Sequence, residues 1–213
     1  MNIVISNTEV ELLAEKAIFL PCDRTLVIAD LHLGKVEHFR KNGFAIPAAA
    51  GDETLIVLAE LILKYAPCKV VFLGDLFHSQ HNSAVDKLAD LIAGSDQIQY
   101  ILVMGNHDIM SNKTYLNLGL TTVTELVIDN ILFTHEPLQK ASNYYNIAGH
   151  IHPGVQLRGG GKQKMSLPCF YFDQKSGILP AFGHFTGKYL LKIKNNSRVF
   201  AVGDGQVFDI ATQ

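Results

Sequence analysis

The sequence is short of cysteine, of charge of one sign and of long apolar runs, and each shortage excludes something. Its 3 cysteines, Cys22, Cys68 and Cys169, are odd in number and widely spaced in 213 residues. That excludes a disulfide scaffold and suits a reducing compartment, so the expected location is the cytoplasm. Lys and Arg total 18 against 20 Asp and Glu, a formal charge of −2. The bulk balance therefore advertises no nucleic-acid surface, although bound cations can reverse the local sign. The longest apolar stretch, LIVLAELIL from Leu55 to Leu63, contains Glu60 and falls short of the about 20 residues that span a bilayer. It reads as a core helix, and no membrane partner is expected. The start, MNIVISNTEVELL, has no basic segment followed by a long apolar one, so no secretory signal is expected. Repeats, low-complexity tracts and interdomain linkers are also missing, and one domain over residues 1–213 is expected.

What is present is apolar residue in quantity. At 48% hydrophobic and 18% charged, the chain is too apolar and too weakly charged to remain disordered. Alternating or continuous apolar runs predict strands at Ile3–Ile5, Glu9–Leu13, Ala17–Leu20, Leu26–Ala29, Lys69–Leu73 and Ile98–Met104. Helices are predicted at Lys35–Lys41, stopped by Asn42-Gly43, at Asp52–Tyr65 and from Ser83 to Ala93, with a short helix and turn in 111–119. Thr121–Ile128 and Ile131–Thr134 read as a hairpin closed at Asp129-Asn130. Beyond a brief strand at Ile147-Ala148 the pattern is all strand and turn: Gly154–Leu157, Leu167–Phe172, Ile178–Pro180, Tyr189–Ile193 and Val199–Val202. RGGGKQK reads as a hairpin loop. Strand–helix alternation followed by strands predicts an α/β sandwich of two packed sheets.

The chemistry-bearing residues follow the apolar strands. Leu26–Ala29 runs into Asp30 and His32, Val70–Leu73 into Gly74-Asp75, and Ile101–Met104 into Gly105-Asn106-His107-Asp108. Ile131–Thr134 runs into His135, and Ile147-Ala148 into Gly149, His150 and His152. Carboxyl ends of strands are where ligand clefts form. Asp30, His32, Asp75, Asn106, His135, His150 and His152 amount to two carboxylates, one amide and four imidazoles. A mixed nitrogen and oxygen set without cysteine suits divalent transition metals and argues against a structural zinc site. It is too large for one ion and fits two that share a carboxylate. Each motif alone is common in surface turns; five in one chain, each after a strand, are not.

In this order, D-x-H, G-D-x-x-H, G-N-H-D, H and G-H-x-H resemble the calcineurin-like metallophosphoesterases. The longer strings ADLHLGKVEHFRKNG, LGDLFHS, MGNHD, FTHEPL, AGHIHPGVQLRG, LPCF and LPAFG resemble a narrower branch, the ligase-associated DNA damage response endonucleases. The resemblance runs from about Leu20 to Gly187. It implies a four-layer α/β/β/α sandwich with two packed mixed sheets. It also implies one divalent ion at Asp30, His32 and His152, a second at Asn106, His135 and His150, and Asp75 between them. Mn²⁺ is the expected metal; the donors alone admit Fe, Zn or Ni. The implied reaction is in-line attack on phosphorus by a hydroxide bridging the two ions.

In that scheme His107 contacts the scissile phosphate or protonates the leaving oxygen, with Asp108 supporting it. His78 stands where many phosphoprotein phosphatases of the family carry Asp, and GDLFH resembles the family's nucleases. His78 is therefore grouped with His107 and Asp108 as catalytic. Lys35 and Arg40, followed by Lys41, and Arg158, followed by Lys162 and Lys164, are candidate contacts to a nucleic-acid backbone. His38, His81 and His184 read as rim residues, Tyr144 and Tyr145 as packing. The function implied is a metal-dependent phosphodiesterase, a DNA endonuclease or related nuclease in repair, functionally linked to a DNA ligase and a helicase. The alternatives are a phosphodiesterase or phosphatase for cyclic nucleotides or small phosphoesters, and a scaffold that docks partners in a repair complex.

Overall fold

The structure is a computed structural model that describes residues 1–41, 43, 51–78, 83–140, 142–183 and 186–210. Asn42, His81 and His184 lie outside the described residues.

The chain builds one sheet, then the other. The first has seven strands in sequential order: β1 (Asn2–Ile5), β2 (Thr8–Leu12), β3 (Ile18–Leu20), β4 (Thr25–Ala29), β5 (Lys69–Leu73), β6 (Gln99–Val103) and β7 (Leu120–Val123). Pairing is antiparallel from β1 to β4, where turns are short, and parallel from β4 to β7. The parallel crossovers carry α1 (Lys35–Lys41), α2 (Glu53–Tyr65), α3 (Ser83–Ala93) and α4 (Asn112–Asn117), as parallel neighbours require. The second sheet begins with β8 (Leu126–Ile128), β9 (Ile131–Thr134), β10 (Tyr145–Ala148), β11 (Pro153–Arg158) and β12 (Lys164–Phe172). It ends with β13 (Ser176–Ile178), β14 (Tyr189–Leu190), β15 (Arg198–Gly203) and β16 (Gln206–Ile210). Its order is β14-β11-β12-β13-β10-β9-β8, with β15 between β12 and β16. Both sheets are mixed.

Side-chain alternation explains the layers. In β4, β5 and β6, residues Leu26, Ile28, Val70, Phe72, Tyr100 and Leu102 face outward. They are covered by Leu55, Leu58 and Leu61 of α2, Leu88 and Ile92 of α3, and Tyr115 of α4. Their neighbours Val27, Ala29, Val71, Leu73, Ile101 and Val103 face inward onto Phe133, Ile147, Phe170, Phe172 and Phe200 of the second sheet. A strand apolar on both faces is what the continuous runs in the sequence encode.

Two strand expectations change. The strand read over Thr121–Ile128 is two strands: β7 pairs with β6 in the first sheet, and β8 forms the hairpin with β9 in the second. Thr124 and Glu125 carry the chain from one sheet to the other. The strand read over Tyr189–Ile193 is confined to Tyr189–Leu190, and β16 has no counterpart in the sequence reading. Helices of the parallel crossovers cover the outer face of the first sheet. Among the described residues, the outer face of the second sheet carries the small cluster Val155, Cys169, Tyr171, Val199 and Ala201 instead of a helix, and Cys169 is buried there. Among the described residues, no helix is long and apolar enough to cross a membrane.

Candidate metal centre

Strands β4, β5 and β6 run parallel in one sheet, and β9 and β10 run parallel in the other. Their carboxyl ends meet at the joint of the sheets. Immediately after them the backbone turns through the left-handed region at Asp30 (φ 54°), His32 (φ 47°), Asp75 (φ 50°), His150 (φ 68°) and His152 (φ 52°). Such conformations cost on the order of 1–3 kcal/mol each for a residue with a Cβ, and here they aim five donor side chains into one volume. The glycines make room for this. A Cβ on Gly149 would sit 2.6 Å from Asp30 Oδ2, and one on Gly74 (φ +70°) would overlap the His135 ring.

Two donor sets result. Asp30, His32 and His152 each place one donor atom within 4.8 Å of the others, and Asp75, His135 and His150 do the same. In the first set the Nε2 atoms of His32 and His152 are 3.3 Å apart, and His152 Nε2 is 3.6 Å from Asp30 Oδ1. In the second, His135 Nε2 lies 3.0 Å from Asn106 Oδ1, 3.1 Å from His150 Nδ1 and 3.4 Å from Asp75 Oδ1. The other oxygen of Asp75, Oδ2, faces His32 Nε2 at 3.9 Å. Asp75 thus turns one oxygen toward each set.

These residues fit a pair of divalent cations. Donors about 2.1 Å from a shared ion stand roughly 3–3.5 Å apart, close to the spacings found. The tautomer points the same way. His135 Nδ1 lies 2.9 Å from the carbonyl of Leu73 and donates to it, so Nε2 is the nitrogen that offers a lone pair in the neutral, ligating ring. That lone pair faces a carboxylate and an amide oxygen, an arrangement of acceptors that a cation resolves. Among the described residues, Asp30 Oδ1 is buried with no hydrogen-bond partner, which is costly unless a cation meets it. Burial drives the His32 imidazole down to about 3, and charge on His152, Lys35, His107 and His78 pushes the same way. His32 is therefore neutral at pH 7, the form that ligates.

Around the sets stand the other predicted residues. His107 is exposed, its amide donating to Asp75 Oδ1 at 3.1 Å and its ring 6.3 Å from that of His32. His78 is half-buried, its ring 6.5 Å from His32 and 4.7 Å from His38. Burial lowers its pKa, and His38, Lys35 and His107 add to the effect. Lys35 is half-buried; burial lowers its pKa while the charge of Asp75 acts the other way. Asp108 is buried and accepts from the amides of Asp75, Leu76 and Gly105 at 2.8, 2.9 and 2.8 Å. Its contacts pin the loops that carry Asp75 and Asn106. Asp108→Ala, by stranding two buried N–H groups and one half-buried one, is expected to lower stability by about 2–3 kcal/mol in urea titration, whereas Asp108→Asn, which keeps an acceptor, costs less.

Arg40 and Arg158 are exposed, and no described contact brings either to the donor sets. Arg158 ends β11 while His152 precedes its start. Six residues of strand separate them, about 20 Å. His38, read from the sequence as a rim residue, is exposed and touches His78; sequence reasoning passed over Lys16 and Lys188, which lie outside every metal motif in the chain and close to His152 in space.

Two mixed sheets with a shared carboxylate between two cation-ready sets define a metal-dependent hydrolase. The family comparison specifies which. Residues 23–203 match the calcineurin-like phosphoesterase family; the chain belongs to it and is a phosphoester hydrolase. The crystal structure of the nuclease MPE of Pseudomonas putida is similar at 29% identity and a TM-score of 0.82, over 99% of each chain. The phosphoesterase Yfce of E. coli aligns over 88% of this chain and 98% of its own, at 15% identity and a TM-score of 0.44. No curated protein matches the chain significantly.

Proposed function

We propose that the protein is a nuclease: a phosphodiesterase that hydrolyses the backbone of DNA with a pair of divalent cations, Mn²⁺ first among them. The observation that carries the two-ion part is Asp75, whose oxygens face separate donor sets. The polynucleotide part is supported by likeness to a nuclease over nearly the whole of both chains. Asp30, His32 and His152 would hold one ion, and Asn106, His135 and His150 the other. When bound, such a pair supplies a water acidified toward neutrality and positive charge for the phosphoryl oxygens.

The chain's own residues do the rest. The Leu73 carbonyl and the His150 amide bond to Asp30 Oδ2 at 2.9 Å fix His135 and Asp30 before substrate arrives. His107, exposed beside Asp75, donates a proton to the departing sugar oxygen, a poor leaving group as the bare alkoxide. Lys35 offsets phosphate charge at the same mouth. His78, backed by His38, stands on the substrate side of His32. Asp108 is a positioning residue that acts through the loops of Asp75 and Asn106. A place in DNA repair beside a ligase and a helicase, in the cytoplasm, as an endonuclease, is supported by the strings from ADLHLGKVEHFRKNG to LPAFG.

The test compares plasmid DNA, bis-p-nitrophenyl phosphate and p-nitrophenyl phosphate with Mn²⁺. Cleavage of DNA and of the diester, with the monoester slower, is the expected result. Turnover of the monoester alone contradicts the nuclease reading and favours a small-phosphoester phosphatase. Partner binding with no hydrolysis under any metal favours a scaffold.

A further inference from the structure

A cavity of about 150 Å³ opens beside His152, walled by Lys16, Lys188, Gly183, Thr186 and Gly187. Its two cations come from distant parts of the chain. Lys16 sits in the turn between β2 and β3, in the left-handed region (φ 66°). The turn is closed by bonds from Lys16 N to Leu13 O and from Leu13 N to Ala17 O. The Lys16 ammonium donates to the carbonyls of Phe182 at 2.7 Å and Gly183 at 3.4 Å. An ammonium has three N–H groups, and the described residues give the third no partner. Phe182 and Gly183 in turn bond through their amides to the carbonyls of Ala29 and Asp30, so Lys16 stands directly behind the segment that carries a metal-site carboxylate. Lys188 is exposed and stacked on the other wall; a Cβ on Gly154 would lie 3.1 Å from Lys188 Cβ. Tyr189 N bonds His152 O at 2.9 Å, which fixes Lys188 to the loop of His152.

Two cations held together, one of them largely buried, are costly unless an anion joins them. Burial lowers the Lys16 ammonium to about 8, Lys188 lowers it further, and only Glu53 acts the other way. Among the described residues, neither Glu53 nor any other acidic side chain lines the cavity. Lys188 has no ion pair among the described residues. The unmatched charge lies on the His152 side of the donor sets and calls for an anion, which a phosphate group supplies and a base does not.

We propose that this cavity binds the phosphate adjacent to the scissile one on a polynucleotide strand. The inference rests on the nuclease reading and narrows it: a good substrate carries at least two consecutive phosphates, and a lone diester leaves Lys16 and Lys188 unmatched.

The test is Lys188→Ala, which keeps the Cβ against Gly154 and whose fold is checked by its melting curve. Metal-free protein in EDTA is titrated with a short fluorescein-labelled single-stranded DNA by anisotropy. The variant is expected to bind about five- to tenfold more weakly, and the slope of log K against log salt is expected to shrink by about 0.7, one phosphate contact. Lys188→Arg restores both. With Mn²⁺, kcat/KM falls about five- to tenfold more for the oligonucleotide than for bis-p-nitrophenyl phosphate. Equal losses on both substrates, or wild-type affinity and slope in Lys188→Ala, overturn the subsite while the nuclease reading stands. A wild type that turns over the small diester yet neither binds nor cuts DNA overturns both.

Discussion

Asp75→Ala is expected to lower kcat/KM for any phosphodiester by at least about 10³-fold and to reduce bound metal from two ions per chain toward one or none. The magnitude follows from what a bound pair supplies, several kcal/mol of transition-state stabilisation. The direction follows from geometry: Asp75 is the side chain whose oxygens address His32 at 3.9 Å and His135 at 3.4 Å. Asp75→Asn is the sharper form. It keeps the volume and the acceptor for the His107 amide but halves the carboxylate charge that the site contributes with Asp30. Elemental analysis of metal-reloaded protein separates loss of ions from loss of chemistry. Two ions retained with activity within tenfold of wild type would show that Asp75 bridges nothing.

His107→Ala is expected to act on a different quantity. The side chain is exposed and only its backbone touches Asp75, so metal content and melting temperature stay near wild type while kcat on DNA falls about 10²- to 10⁴-fold. If the imidazole protonates the leaving oxygen, the loss depends on that oxygen. p-Nitrophenolate departs without a proton, so bis-p-nitrophenyl phosphate suffers far less than DNA. Equal losses on both substrates would assign His107 to charge stabilisation instead, and no loss on either would remove it from the reaction.

Much of this candidate site is legible in the sequence because its donor residues follow strands. Asp30, Asp75, Asn106, His135 and His150 each come one to three residues after the last residue of a parallel strand, and continuous apolar runs mark such strands plainly. Sequence position says less about distance from the donor sets where a strand carries the chain away. Arg158 is near His152 in number and roughly 20 Å from it along β11. It also says little where neighbours are made only by folding. Lys16 precedes the first motif and Lys188 follows the last, in turns with no periodic signal, and hydrogen bonds to Phe182 and Gly183 bring Lys16 to the site.

The fold divides similarly. The alternation of Leu26 and Ile28 with Val27 and Ala29 predicts two covered faces, but nothing local says that one cover is helical and the other a sheet. The break at Thr124-Glu125 is invisible within an otherwise strand-like run, because the two halves differ in their partners and not in composition.

The account's central claim is that two ions sit at the joint of the sheets. Anomalous diffraction from crystals soaked in Mn²⁺ tests it most directly. The predicted result is two peaks roughly 3.5–4 Å apart, one among Asp30, His32 and His152, the other among Asn106, His135 and His150, with Asp75 touching both. A single peak, or peaks away from these side chains, would contradict it.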